Sequence, residues 1–99
     1  MEYHVWQAIY ALEDALSEER GKTIRLARTR QKIARQGELA CVADLVLGSP
    51  SEGFRMLVER DMLDLSFEAV ALKHPHRFDE AVLAAARERL ADVGFSPTQ

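Results

Sequence analysis

The chain has 99 residues, of which 47% are hydrophobic and 29% charged, with a formal net charge of −3. This length suits a single domain, and the composition is that of a folded chain rather than a disordered one. One cysteine, Cys41, excludes an intramolecular disulfide and a multi-cysteine zinc site. No run approaches the ~20 consecutive apolar residues of a membrane span, and no signal-peptide pattern opens the chain. We therefore expect a cytoplasmic protein with no membrane role.

The first predicted element is an amphipathic helix at residues 3–17. Its apolar face is formed by residues at helical spacing: Val5, Ala8, Ile9, Leu12, Ala15 and Leu16. Tyr3, Trp6 and Tyr10 cluster on the side roughly opposite this face. Such an aromatic strip fits a surface for a partner protein or a homodimer contact. The alternative is that the C-terminal helix, or the tail that contains Phe95, covers it.

A second helix is predicted at residues 23–36, with Gly21 ending the first helix and Thr23 as the N-cap. The two helices then form an N-terminal helical hairpin. The alternative is one long helix that continues through Gly21 to Gln36, because an internal glycine costs only about 1 kcal/mol relative to alanine.

The second helix carries a block of positive charge. Residues 20–37 contain seven bases and no acid, whereas residues 1–19 contain five acids and no Lys or Arg. Four of the bases lie within about 80° of one another on the helix and predict an exposed basic interaction surface. They are Arg25, Arg28, Lys32 and Arg35.

Arg30 differs from these four bases because it falls in the middle of the apolar face of the second helix. That face is formed by Leu26, Ala27, Ile33 and Ala34. A guanidinium keeps its proton, so its burial requires a carboxylate or several carbonyl groups. Antiparallel pairing of the first two helices places Glu13 opposite Arg30, and Asp44 is the other candidate. We predict a structural ion pair between Arg30 and one of these two acids.

The remaining elements are also helical in pattern. Residues 38–47 are apolar nearly all round, which predicts a central helix. A run after Ser51 and a short helix from Ser66 to about Lys73 follow, and the last helix spans residues 80–93. Its inward residues are predicted to be Val82, Leu83, Ala86, Leu90 and Val93. The fold prediction is all-α: a single compact bundle of five or six short helices over residues 1–94, with a C-terminal tail at 95–99.

No pattern in the sequence predicts an active site, so we expect no catalytic residue, no metal and no cofactor. Apolar neighbours indicate that Cys41 is a buried thiol rather than a nucleophile. The stretch His74-Pro75-His76, with His4 as a third nitrogen, lacks the further ligands of a metal site and is typical of a solvated turn.

The expected function is therefore that of a protein-interaction or structural module, with self-association as one form of that role. The alternative is a nucleic-acid-binding accessory protein that uses the basic helix at residues 22–36. The isoelectric point of about 5.6 weighs against this alternative, because DNA-binding domains are usually basic.

Overall fold

The computed structural model describes residues 1–95, and these form α-helices, two short 3-10 helices and no strand. The helices are α1 (Glu2–Arg20), α2 (Ala27–Gln36), α3 (Glu38–Leu47), α4 (Glu52–Glu59), α5 (Phe67–Lys73) and α6 (Glu80–Asp92). The 3-10 helices, Leu63–Leu65 and Pro75–Arg77, flank α5. The prediction of an all-α bundle is confirmed. No helix within the described range is long and apolar enough to cross a bilayer.

The core lies where α3, α5 and α6 pack together, with α1 against α4 and α5. Val5 and Ile9 of α1 are completely buried, as their spacing predicts. Helix α3 buries Cys41, Val42 and Val46, but Leu47 at its end is 55% exposed. The central position predicted for residues 38–47 therefore holds for the buried residues of α3 but not for its C-terminal end.

Helix α1 ends at Gly21, which has a φ of 69° and donates its N–H to Ser17 O at 2.9 Å. Glycine adopts this left-handed conformation without the steric cost that a Cβ imposes. The alternative of one continuous helix to Gln36 is therefore excluded. Helix α2 packs mainly against α3, and its Arg30 connects it to Glu13, Trp6 and Tyr10 of α1.

The start of α2 differs from the prediction. Residues 22–26 are not helical, and Thr23 is not an N-cap. The Ile24 N–H donates to Ser17 Oγ at 2.8 Å, and the Leu26 N–H donates to Glu13 Oε2 at 2.9 Å. Because side chains of α1 accept these backbone donors, the segment is held extended along α1. Arg25 consequently lies in the connection rather than on α2.

The buried face of α2 is also narrower than predicted. Ile33 is 9% exposed and Leu26 is partly buried, but Ala27 and Ala34 face solvent. Only one apolar side chain of the helix itself therefore reaches the core. Arg30 consequently lies at the border between the buried and exposed sides of α2.

Serine side chains cap two of the later helices. Ser51 Oγ accepts the Phe54 N–H at 3.2 Å at the start of α4. Ser66 Oγ accepts the Ala69 N–H at 3.1 Å at the start of α5. Each cap satisfies a backbone donor that the helix itself leaves free.

The C-terminal end of the bundle corrects one predicted core position. Val93 is 41% exposed because α6 ends at Asp92, before the turn that would bring Val93 inward. Phe95 packs against the core, and its N–H donates to Leu90 O at 2.9 Å. The rest of the predicted tail, residues 96–99, lies outside the described residues.

Candidate interaction surface

An aromatic surface lies on the outer side of α1, opposite its buried face. Tyr3 is 74% exposed and Tyr10 is 55% exposed, while Trp6 between them is half-buried. Among residues 1–95, the alternative of covering by α6 or Phe95 does not occur, because Tyr3 and Tyr10 stay exposed and Phe95 packs against the core. The rest of the tail, residues 96–99, lies outside the described residues. Exposed tyrosines beside a tryptophan are enriched where proteins bind one another.

An ion pair with the buried Glu13 fixes the position of Arg30 beside this aromatic surface. Its Nε and Nη2 each donate to the Glu13 carboxylate, both at 2.7 Å. Glu13 is 2% exposed and also accepts the backbone N–H of Leu26. The hydrogen bonds from Arg30 hold the pKa of Glu13 below its ordinary value, against the opposing effect of burial.

The guanidinium of Arg30 also contacts two of the aromatic rings. Its central carbon lies 5.3 Å from the centre of the Trp6 ring and 6.0 Å from that of Tyr10. Trp6 Nε1 donates to Glu38 Oε2 at 3.2 Å, which fixes the indole between α1 and the start of α3. Cation–π contact and the two-pronged bond to Glu13 therefore orient the rings. We call Tyr3, Trp6, Tyr10 and Arg30 the aromatic–arginine patch.

Small residues of α2 extend this patch. Ala27 and Ala34 lie three and four positions from Arg30, on the same side of the helix. Both are exposed, as is Gln31 next to them. The patch therefore continues from the aromatic rings of α1 across Arg30 onto a low, weakly polar part of α2.

The predicted basic surface is only partly available. Lys32 Nζ lies 3.2 Å from Asp44, and Arg25 Nη1 lies 3.9 Å from Glu13. Arg28 and Arg35 are exposed and make no ion pair within residues 1–95. Of the two acids that were candidates for Arg30, Glu13 is the one it contacts. Asp44 pairs with Lys32 instead.

Comparison with known proteins identifies no relative of this chain. No protein-family model matches the chain, and no curated protein or solved structure matches it either. The role of the aromatic–arginine patch must therefore follow from its own geometry and chemistry.

Other potentially reactive groups lie outside the aromatic–arginine patch, although the His4 ring is centred 5.6 Å from that of Tyr3. Cys41 is completely buried, and burial raises the pKa of its thiol, which disfavours the reactive thiolate. His4 Nδ1 and His74 Nε2 lie 2.8 Å apart, so the structure brings together two of the three histidines that the sequence grouped, while His76 is exposed. Within the described residues, no group of three or more His, Cys, Asp or Glu side chains is placed to hold a metal.

A second ion pair that sequence reasoning missed lies inside the bundle. Arg89 of α6 donates to Glu68 of α5 at 2.7 Å, and their side chains are 14% and 6% exposed. Arg89 also donates to the carbonyl groups of Leu45 and Gly48 at the end of α3. No local pattern indicates this pair, because both residues look like ordinary surface charges in the sequence.

A cavity of about 270 Å³ lies beside this ion pair. Leu12, Leu16 and Phe54 form part of its wall. Its volume is slightly below the ~300–1,000 Å³ of typical ligand pockets. Every buried polar side-chain atom in the described structure has a hydrogen-bond partner, so no group in the wall calls for a ligand.

Proposed function

We propose that this chain is a protein-interaction module that contacts its partner through the aromatic–arginine patch. The observation that carries the proposal is the exposure of Tyr3 and Tyr10 on one side of α1, where Tyr10 and Trp6 contact a guanidinium that is already bonded to a buried carboxylate. Trp, Tyr and Arg are the residues that most often dominate the binding energy of protein interfaces.

The fixed position of Arg30 favours binding by lowering its entropic cost. Side chains ordered before association lose less freedom when the partner arrives. Glu13 also neutralises the charge of Arg30, whose side chain is 35% exposed. A partner that covers the patch therefore does not have to supply an acid of its own.

The reducing cytoplasm is the compartment that we propose for this module. The single thiol of the protein, on Cys41, is buried and has no second cysteine with which to form a disulfide. Such cysteine usage is common where disulfides do not form.

The second candidate function is nucleic-acid binding through the basic surface. It is favoured by Arg28 and Arg35, which are exposed and make no ion pair among residues 1–95. With Arg25 and Lys32 near acids of the same chain, two phosphates are the expected contacts. The logarithm of the binding constant should then fall with that of the salt concentration with a slope near −2, at about −0.9 per phosphate.

A pull-down with a matched pair of variants tests the proposed function. Wild type and the double variant Tyr3→Ser/Tyr10→Ser are immobilised in equal amounts, and a native cell lysate is passed over each, with and without nuclease. We expect proteins that wild type retains and the double variant loses, with no effect of nuclease.

The control is the double variant Leu47→Ser/Val93→Ser. It removes two exposed apolar side chains that are not part of the patch, at the ends of α3 and α6. This control should retain the same proteins as wild type. Equal retention by wild type and the tyrosine variant contradicts the proposal. Loss of every retained protein on nuclease treatment favours the nucleic-acid alternative.

A further inference from the structure

The surface around the aromatic–arginine patch changes charge from one side to the other. On α1, Asp14 and Glu18 lie just beyond Tyr3 and Tyr10 on the side away from α2. On α2, Arg28 and Arg35 lie beyond Ala27, Gln31 and Ala34 on the side away from α1. The patch therefore has an acidic edge, formed by Asp14 and Glu18, and a basic edge, formed by Arg28 and Arg35.

We propose that the partner of this patch is a second copy of the same chain, packed face to face about a two-fold axis that runs along the patch. This inference rests on the proposed function and names its partner. In a two-fold interface the same surface is used by both copies, and its opposite edges exchange places. The acidic edge of each copy then meets the basic edge of the other.

The charge order across the patch is what makes it self-complementary. All four residues of the two edges are exposed. Asp14, Arg28 and Arg35 make no ion pair within the described part of the chain, while Glu18 contacts Arg60 at 2.7 Å. Asp14 and Arg28 are therefore available to a second copy.

The centre of the contact needs no compensating charge. Arg30 of each copy keeps its bonds to its own Glu13, so two guanidinium groups near the axis are each neutralised within their own chain. Tyr10 of one copy then lies over the low surface at Ala34 of the second copy, because positions 10 and 33 are level along the two helices. Large aromatic side chains over small residues provide the complementary shape that interface cores require.

The antiparallel relation of α1 and α2 selects the pair of residues to test. Glu13 contacts Arg30, so positions near Asp14 lie level with positions near Arg28 along the two helices. A two-fold rotation about an axis along the patch leaves the position of each residue along the helices unchanged, and it exchanges the acidic edge with the basic edge. Asp14 of one copy is thereby placed opposite Arg28 of the second copy, and the same contact occurs twice in the dimer.

Charge reversal followed by mixing tests this arrangement. Asp14→Arg and Arg28→Glu are prepared as separate variants, with Glu88→Arg, at an exposed position of α6, as the control. Sedimentation equilibrium is measured at about 10 μM to 1 mM, the range expected for a small interface. We expect wild type and the control to dimerise, and each edge variant alone to bind itself about tenfold or more weakly, because like charges face each other at both edges.

The mixture of the two edge variants is the decisive sample. In a mixed dimer, Arg at position 14 of one chain faces Glu at position 28 of the other, and the native Asp14 and Arg28 face each other at the second edge. Dimerisation of the mixture, with affinity close to wild type, supports the inference. No recovery on mixing overturns it, as does a wild type that stays monomeric at the highest concentration.

The failure of this inference differs from the failure of the proposed function. If the chain is monomeric but the Tyr3→Ser/Tyr10→Ser variant still loses proteins that wild type retains, the patch binds another protein and only the second copy is wrong. Tyr3→Ser/Tyr10→Ser is therefore also measured by sedimentation equilibrium. If it retains the same proteins as wild type in the pull-down and self-associates as wild type does, the proposed function falls as well.

Discussion

The guanidinium of Arg30 and the carboxylate of Glu13 form two hydrogen bonds of 2.7 Å across the gap between α1 and α2. The same carboxylate accepts the Leu26 N–H at the start of α2. One buried acid thus sets where α2 begins, how it is oriented on α1, and where the guanidinium meets the rings of Trp6 and Tyr10.

The first prediction is that Arg30→Ala lowers the melting temperature far more than Arg28→Ala. Loss of Arg30 removes two hydrogen bonds from the buried carboxylate of Glu13 and leaves Arg25, at 3.9 Å, as its nearest cation, which is costly. Arg28 is exposed and makes no ion pair within residues 1–95, so its loss should change stability little. Thermal unfolding followed by circular dichroism measures both. Equal, small losses would show that Arg30 does not stabilise the fold.

Acid should unfold the protein partly through Glu13. Its pKa is lowered in the folded state by the hydrogen bonds from Arg30, so the unfolded chain binds the proton more readily. The resulting stability is present above the ordinary glutamate pKa of about 4.3 and is lost as the pH falls through the lower, folded value. Glu13→Gln should flatten this part of the pH profile in urea titrations. Glu88→Gln, at an exposed position of α6 outside the patch, is the control and should leave the slope unchanged.

A third prediction concerns Glu68 and Arg89. Arg89→Ala leaves a buried carboxylate and two carbonyl groups at the end of α3 without their donor. The expected cost in the free energy of unfolding is about 3–5 kcal/mol. Arg87→Ala, which removes an exposed pair with Glu80, should cost about 0–1 kcal/mol.

The double variant Glu68→Leu/Arg89→Met separates pairing from burial. Two apolar residues of similar volume leave no unpaired charge, so this variant should be more stable than Arg89→Ala alone. Urea titration of the four proteins gives the comparison. A double variant that is less stable than Arg89→Ala would contradict the assignment of the pair as buried.

The contact between His4 and His74 predicts a loss of stability in mildly acidic solution. Burial lowers the pKa of His74, and the positive charges of the Met1 amino group, His4, Arg77 and Lys73 act in the same direction. The unfolded chain therefore binds a proton more readily than the folded one. Stability should be greatest above the ordinary histidine pKa of about 6.5 and decrease as the pH falls through and below it.

His74→Gln tests this assignment against His76→Gln, a substitution two residues away at an exposed position. The difference in unfolding free energy between pH 7.5 and pH 5 should shrink for His74→Gln and match wild type for His76→Gln. An NMR titration of the histidine rings provides a direct reading of the pKa of His74. A wild-type profile in the His74 variant would show that the contact does not affect stability.

Much of the fold follows from local patterns in the sequence. The period of the apolar residues in α1 and the helix-ending conformation of Gly21 depend only on neighbouring residues, and the sequence predicts both. Residues 38–47 coincide with α3 for the same reason. The need of Arg30 for an acid is also a property of the residue itself, since a guanidinium does not lose its proton.

Only the tertiary structure decides how distant polar groups are paired. Glu13 rather than Asp44 binds Arg30, and Glu68 finds Arg89 21 residues away, because the packing of the helices brings these side chains together. The late start of α2 has the same origin, because Ser17 and Glu13 of α1 accept the N–H groups of Ile24 and Leu26. A helical wheel does not take into account such side-chain hydrogen bonds, which compete with helix formation. Local periodicity determines which segments are helical, whereas three-dimensional packing determines which charges meet.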